Sequence, residues 1–178
     1  SIIRGIVKDS AGKPLSDIFV SLLSSGGDNG LDYNYGWTGS DGAYEILGVA
    51  PDNYRVLFND DTGVYIPQFN GGVFTRKEAS EIAVGTQSTT TVDATMKMGG
   101  VIKGTVRDAD GAPIADARVG VRNTTDVEWD KWVTSAMGDY TITGLIDGNY
   151  FVDFYADNYD EQYYDGVDDP SKATLVPI

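Results

Sequence analysis

The sequence predicts an all-β fold made of two tandem antiparallel β-sandwiches. Three observations lead to this prediction. The chain repeats itself, because its first 58 residues align with residues 100–154 at an offset of 99 that falls to 96. Apolar and polar side chains alternate over short runs, which is typical of half-buried strands. Asp outnumbers Glu 22 to 5, a bias towards turns, and no long stripe of helical period is present.

Composition and charge limit the number of domains and the classes of function that this chain can have. A chain of 178 residues that is 41% hydrophobic suits two domains, which we place at residues 1–98 and 99–178. The net charge of −14 argues against nucleic acid and against anionic membranes as partners. Cys and His are both absent, so no disulfide and no Cys or His nucleophile is available within the chain. No apolar run is long enough to span a bilayer.

The first predicted strand of each copy is followed by a tight turn. Apolar or Gly positions recur at every second residue, and an Asp then precedes a Gly by three residues. Asp bonds its own backbone in such turns, and Gly takes a positive φ. The matched pairs are Ile3 with Ile102, Gly5 with Gly104, Val7 with Val106, Asp9 with Asp108, and Gly12 with Gly111.

Three more strands follow in the same order in both copies. Each is a short alternating run that begins after a loop or turn rich in Gly, Asp or Asn. Their apolar positions predict the two cores. The matched pairs are Val20 with Val119, Leu22 with Val121, Tyr44 with Tyr140, Ile46 with Ile142, Tyr54 with Tyr150, Val56 with Val152, and Phe58 with Phe154.

The second copy stops short of the last strand of the first. Residues 89–97 predict a final strand with Val92, Ala94 and Met96 on one face, whereas the counterpart of residues 85–99 is missing after Ile178. Three explanations stay open. The sequence is an excerpt of a longer array of repeats, the second domain closes with fewer strands, or a partner supplies the strand by β-addition.

The repeated pattern resembles a known family. Gly-x-Val-x-Asp-x-x-Gly-x-Pro, followed by Gly-x-Tyr-x-Ile-x-Gly, is similar to the carboxypeptidase regulatory-like domains, also called transthyretin-like or B-type adhesin domains. The pattern continues with Leu-x-x-Gly-x-Tyr-x-Val. Residues 101–154 fit it well, and residues 2–58 fit it with Val49 in place of Leu and Asp52-Asn53 in place of Gly. The resemblance implies Ig-like or prealbumin-like sandwiches, used in large bacterial secreted and surface proteins as stalks, adhesin modules or appendages of hydrolases.

Some relatives in this family hold an intramolecular Lys–Asn isopeptide bond beside an acid. The resemblance puts their lysine at Val7 and Val106, and their acid at Phe58 and Phe154. We therefore expect no isopeptide bond in either copy.

Catalysis has little basis in the sequence. The acid pairs Asp60–Asp61 and Asp168–Asp169 stand in turn-like contexts, where a solvated turn explains them better than general acid–base work. No nucleophile elbow, phosphate loop or zinc motif is present. We expect a protein that is not an enzyme.

Calcium is the only candidate cofactor, since it prefers several hard oxygen ligands. Asp108 and Asp110 have the spacing of alternate ligands, and a second acidic cluster follows in the same copy. A hairpin turn and solvated loops explain the same residues. The candidate ligands are Asp108, Asp110, Asp157, Asp160, Asp165, Asp168 and Asp169.

Aromatic residues give a carbohydrate hypothesis. Tyr33, Tyr35 and Trp37 alternate on one strand face, and Trp129 and Trp132 follow in the second copy, Trp37 matching Val133 at offset 96. We expect Trp37, with one of Trp129 and Trp132, to be buried in the cores. The remaining candidates, Tyr33, Tyr35 and the other Trp, offer faces for stacking on a sugar ring.

These observations favour a non-catalytic extracellular or cell-surface module, acting as a spacer, stalk or adhesive segment of a larger bacterial protein. Its partners are neighbouring domains of a longer chain. The alternatives are a carbohydrate-binding appendage of a secreted hydrolase, whose partner is a polysaccharide, and a filament subunit that accepts a strand from another subunit.

Overall fold

The structure, a computed structural model, describes residues 1–25, 34–125 and 130–178. It is all-β, as predicted, with a single 3-10 turn at Pro170–Lys172 in the described ranges. The chain divides into two compact units, Ser1–Met98 and Gly99–Ile178. The strands of the first unit are β1 (Ile2–Asp9), β2 (Ile18–Ser24), β3 (Tyr35–Trp37), β4 (Ala43–Leu47), β5 (Asp52–Asp60), β6 (Gln68–Phe69), β7 (Ile82–Val84), β8 (Thr89–Thr91) and β9 (Ala94–Met96). Those of the second are β10 (Gly100–Thr105), β11 (Arg118–Asn123), β12 (Lys131–Thr134), β13 (Asp139–Leu145), β14 (Asn149–Tyr155), β15 (Gln162–Tyr163) and β16 (Val176–Pro177).

Two sheets build the first unit. In one, β1 pairs antiparallel with β4 on one side and parallel with β8 and then β9 on the other. The other has the order β3–β2–β5–β6, and β7 also pairs with β5. Alternate residues of both sheets point inward and form one core, of which Val7, Val20 and Phe58 are fully buried.

The second unit repeats most of this arrangement. Its larger sheet has the order β12–β11–β14–β15 with β16 on β14, and its core includes Ile102, Val119 and Val152. Its other sheet contains only β10 and β13, paired antiparallel. Within the described ranges no strand pairs with the edge of β10 that corresponds to the β8–β9 edge of β1.

The repeated turns form as predicted. The carboxylate of Asp9 accepts the backbone N–H groups of Ala11 and Lys13, both at 2.9 Å. Asp108 accepts those of Asp110 and Ala112 in the same way, at 3.0 and 2.8 Å. The turn glycines of both copies have positive φ, 84° at Gly12 and 85° at Gly111, which glycine adopts without strain.

Two details of the predicted strands are wrong. The last strand of the first unit is interrupted at residues 92–93, because the Asp93 carboxylate accepts the Ile6 N–H at 2.8 Å in place of a backbone ladder bond. The two copies of the edge strand match at offset 97, which aligns Tyr35 with Trp132, and not at 96. Two buried hydroxyls indicate the same offset of 97. The Thr38 hydroxyl donates to the Leu15 carbonyl, and the Ser135 hydroxyl donates to the Ile114 carbonyl.

Candidate functional site

An aromatic cluster lies on the outer face of the β2–β3 edge in the first unit. Strand pairing places Phe19 opposite Trp37 and Ser21 opposite Tyr35. The Phe19 ring lies 4.9 Å from the Trp37 ring and 5.4 Å from that of Tyr35, centroid to centroid, both tilted. The Tyr35 side chain is 56% exposed and the Trp37 side chain 49% exposed. Phe19 therefore supports two rings that still present much of their surface to solvent.

The expectation that Trp37 is buried in the core is wrong. Alternation along β3 turns Gly36 inward, where a Cβ atom would lie 3.2 Å from the Cγ1 of Ile46. Ile46 thus fills the space on the core side of β3, and the neighbouring Trp37 must point outward. The alternation of Tyr35 and Trp37 was read correctly, but it does not say which of the two faces is buried.

A shallow groove of about 540 Å³ runs along the β1–β4 surface beside Trp37. Its wall includes the exposed side chains of Arg4, Ile6, Glu45 and Asp93. An exposed aromatic ring can stack on the apolar face of a sugar ring. Planar charged groups beside it can form hydrogen bonds with the sugar hydroxyls, so this combination is suited to binding a sugar. Arg4, Glu45 and Asp93 were not among the predicted site residues, since only the fold brings them to Trp37.

The second unit has an exposed aromatic ring at the corresponding place. Trp132 is 59% exposed on the outer face of β12, and the Arg118 guanidinium lies 4.8 Å from its ring centroid in a cation–π contact. Arg118 stands at the position of Phe19 in the first unit. Tyr33 and Trp129, the other two predicted sugar-stacking residues, lie outside the described residues.

The Asp153 carboxylate lies on the same sheet face as this ring, because both Asp153 and Trp132 pair with Gly120. It covers Gly120, the strand partner of Trp132, so closely that a Cβ at Gly120 would approach its oxygens to 2.6 Å. Burial raises the pKa of Asp153 above its ordinary value, Arg122 opposes that rise, and Glu161 adds to it. Trp132, Arg118 and Asp153 thus combine a ring with a cation and an acceptor on one sheet face.

The candidate calcium ligands do not meet. No group of three or more acidic side chains that could hold a metal ion occurs in the part of the chain that the structure describes. Asp108 builds the turn after β10, and Asp169 caps the 3-10 turn by accepting from Ser171 N–H and Oγ at 2.9 and 2.7 Å. The side chains of Asp110, Asp157, Asp160, Asp165 and Asp168 are exposed. Calcium binding stays a prediction without a geometric site.

The acid pair at Asp60 differs from the solvated turn that the sequence predicts. Asp60 is buried, and its two carboxylate oxygens accept the N–H groups of Thr62, Val64 and Tyr65 at 2.9 Å and the Thr62 hydroxyl at 2.6 Å. Burial alone would raise the pKa of Asp60, but these hydrogen bonds together hold it below its ordinary value. The carboxylate is a structural acceptor that closes the turn after β5.

The positions relevant to an isopeptide bond lie in apolar surroundings. Val7 and Phe58 are fully buried in the core of the first unit, and Val106 and Phe154 pack against that of the second. The absence of a Lys–Asn bond stays a prediction that intact-mass measurement checks.

Comparison with known proteins finds a family match within the second unit. Residues 101–176 match the family described as Carboxypeptidase regulatory-like domain. No curated protein matches the chain. No helix among the described residues has the length and apolar character needed to cross a bilayer.

Several solved structures are similar at low identity. A streptococcal ancillary pilin shares 13% identity at a TM-score of 0.46, with 99% of this chain covering 61% of that one. The minor pilin of Streptococcus agalactiae shares 12% at 0.40, covering 91% and 88% of the two chains. A DUF3823 family protein from Bacteroides ovatus shares 12% at 0.40, covering 94% and 97%.

Proposed function

We propose that this chain, whose residues 101–176 match the carboxypeptidase regulatory-like domain family, is a non-catalytic module of an extracellular or cell-surface protein. It consists of two tandem copies of one sandwich domain, divided at residues 98–99. Its role is that of a spacer or adhesive segment between other parts of a longer protein.

One observation supports this proposal: the carboxylates of Asp9, Asp60 and Asp108 are occupied in building turns. Asp60 accepts three backbone N–H groups, and Asp9 and Asp108 accept two each. A carboxylate held this way has few free lone pairs with which to accept a substrate proton. The charge of −14 keeps such modules soluble and apart.

A replacement experiment tests the spacer role. In the protein that carries this segment, residues 1–178 are exchanged for two unrelated sandwich domains of the same length. A spacer leaves surface display and the activities of the other domains unchanged, and deletion of the segment reduces them. Loss of function with the replacement domains present would contradict a pure spacer and point to recognition by the segment itself.

A second function, carbohydrate binding, is favoured by the groove beside Trp37. The exposed ring, Arg4, Glu45 and Asp93 line one surface of the first unit, and Trp132 with Arg118 and Asp153 forms a comparable patch on the second. Both sets join an aromatic face with charged hydrogen-bonding groups, which is the chemistry that a polysaccharide requires.

Affinity electrophoresis in gels that contain single polysaccharides tests this second function. We expect retardation in at least one polysaccharide, and we expect Trp37→Ala to weaken binding about fivefold, because a stacking ring contributes on the order of 1 kcal/mol. Leu47→Ala, at an exposed β4 residue outside the groove, serves as the matched control. Equal retardation of the wild type and Trp37→Ala would exclude the groove as the binding surface.

A further inference from the structure

The floor of the groove beside Trp37 differs between the two copies of the repeat. In the first unit it contains Ile6 and Ala43, which lie opposite each other on β1 and β4 and are both exposed. Their counterparts in the second unit, Thr105 and Asp139, are also strand partners, and the Thr105 hydroxyl donates to the Asp139 carboxylate at 2.7 Å. The sandwich thus accepts a polar pair at this place, so its fold does not require the apolar floor of the first unit.

This floor and the Trp37 ring form one apolar surface that solvent reaches. The Ile6 side chain is 40% exposed and that of Trp37 49% exposed, and both line the groove. Ala43 lies on β4, the strand next to β3, and its short side chain keeps the floor open between the two larger ones. The C–H face of a sugar ring packs favourably on a surface of this kind.

Charged groups border the same surface. The exposed Glu45 carboxylate has no hydrogen-bond or ion-pair partner among the described residues, although Arg4 is its strand partner. One oxygen of the Asp93 carboxylate accepts the Ile6 N–H at 2.8 Å, and within the same ranges the other oxygen accepts nothing.

Two carboxylates against one guanidinium leave the groove with a net negative charge, and the whole chain carries −14. A ligand that is itself anionic is repelled by both. A cationic ligand is attracted by both and meets carboxylate oxygens that are free to accept its hydrogen bonds. Together with the apolar floor, this charge favours a sugar that carries an amino group.

We propose that the groove of the first unit binds a polysaccharide of de-N-acetylated amino sugars. A sugar ring stacks on Trp37 and covers Ile6 and Ala43. The ammonium groups of the sugars pair with Glu45 and Asp93. The inference rests on the carbohydrate binding proposed above and names the class of sugar that the first unit takes.

The test titrates the full chain with a hexamer of β-1,4-linked glucosamine and, separately, with its fully N-acetylated counterpart. The two ligands have the same rings and linkages and differ in the charge at each nitrogen. Calorimetry at pH 6 keeps the amines protonated, and salt at about 0.15 M screens the long-range attraction of the acidic chain. We expect one-to-one binding of the glucosamine hexamer and at least tenfold weaker binding of the N-acetylated one.

Two matched substitutions separate the groove from the general charge of the protein. Glu45→Gln should weaken binding of the glucosamine hexamer about fivefold, the effect expected of one solvent-exposed ion pair. Glu78→Gln makes the same chemical change at an exposed residue outside the groove and should leave the affinity unchanged.

A double variant tests the apolar floor. Ile6→Thr with Ala43→Asp gives the first unit the pair that the second unit already holds, at two exposed positions where the fold accepts it. It adds a negative charge beside the ligand, so attraction by charge alone would strengthen binding. We expect binding to fall at least tenfold, because the sugar ring loses the surface on which it packs.

The outcomes distinguish this inference from the function on which it rests. Equal affinity for the two hexamers, or equal effects of Glu45→Gln and Glu78→Gln, overturns the preference for amino sugars and leaves carbohydrate binding in place. Unchanged or stronger binding by the double variant overturns the groove as the site. If the glucosamine hexamer does not bind, this inference is wrong, and the gels with other polysaccharides decide whether carbohydrate binding is wrong as well.

Discussion

At the residue scale, the two acids that follow β5 show how different neighbouring carboxylates can be. Asp60 is buried and receives three backbone N–H groups, while the adjacent Asp61 is exposed and, within the described ranges, accepts only the Asn59 side-chain amide, at 2.6 Å. A buried acceptor that organises a turn is costly to change because its donors lose their partner.

Asp60→Asn should therefore lower the free energy of unfolding of the first unit at pH 7 by about 1–3 kcal/mol, the cost of a buried group left unsatisfied. The hydrogen bonds depress the folded-state pKa of Asp60 below the ordinary 3.8, so the stability it provides is present above about pH 4. It is lost as the pH falls through the folded-state pKa. Urea denaturation at pH 7 and pH 3 measures both effects.

Asp61→Asn is the control for this prediction and should change the unfolding free energy by less than about 0.5 kcal/mol. The difference between the wild type and Asp60→Asn should shrink at pH 3. An equal effect of the two substitutions would refute the structural role of Asp60.

The role of a single residue was predictable from the sequence only where its chemistry and its position in a motif indicate the same role. Asp9 and Asp108 belong to a turn pattern that defines its own hydrogen bonds, so their role was clear. The exposure of Trp37 was not predictable. Alternation assigns Tyr35 and Trp37 to one face of β3, but it does not show that Ile46 fills the space on the other face. Arg118 contacts Trp132, and Asp153 shares its sheet face, through strand pairing that a single sequence does not display.

At the element scale, one pair of glycines separates the two units. A Cβ at Gly5 would overlap the carbonyl group of Val92 in the segment that covers β1, so this backbone would have to shift. A Cβ at Gly104 would lie 2.7 Å from the Tyr140 hydroxyl oxygen and 2.9 and 3.0 Å from Cζ and Cε1 of its ring, so that side chain would have to shift. The same substitution thus has different consequences in matching strands.

We expect Gly5→Ala to destabilise the first unit by about 1–3 kcal/mol or more, as overpacking does, and to loosen residues 89–96. Gly104→Ala should cost the second unit less than about 1 kcal/mol. Urea denaturation gives the free energies, and hydrogen exchange at the Val92 amide reports the loosening. Similar costs for both variants would show that the β1 edge is not tightly covered.

The order of the strands was predictable because each is an alternating run bounded by turn residues. The break between β8 and β9 was not, since it arises when the Asp93 side chain replaces a ladder bond to Ile6. The one-residue error in aligning β3 with β12 has a similar cause: both strands are short, and the preceding loops differ in length between the copies.

At the scale of the whole molecule, each unit has a hydrophobic core of its own. Phe58 is fully buried in the first, and Ile142 is nearly so in the second. Units with separate cores are expected to unfold as separate cooperative transitions.

Calorimetry of two core variants tests this. Phe58→Ala should remove about 3–5 kcal/mol and Ile142→Ala about 2–5 kcal/mol, each lowering one transition and leaving the other in place. A single transition that both variants shift equally would mean that the units fold as one.

The all-β class was predictable from the repeat, because two matched sets of short alternating runs leave no place for a helix. The sequence also predicted that the second copy lacks a counterpart of residues 85–99. It could not show the cavity of about 580 Å³ beside Val106 and Phe154, or that the Tyr140 hydroxyl has no hydrogen-bond partner among the described residues, because both arise from packing between strands distant in sequence.

The uncovered β10 edge also bears on how the protein behaves at high concentration. Exposed strand edges promote edge-to-edge aggregation, and a lysine in the middle of such a strand opposes it, as Lys103 does here. The charge of −14 adds repulsion between copies at neutral pH. This repulsion is weakest near the isoelectric point of about 4.1, where protonation of carboxylates brings the net charge to zero, so storage and crystallisation near that pH favour precipitation.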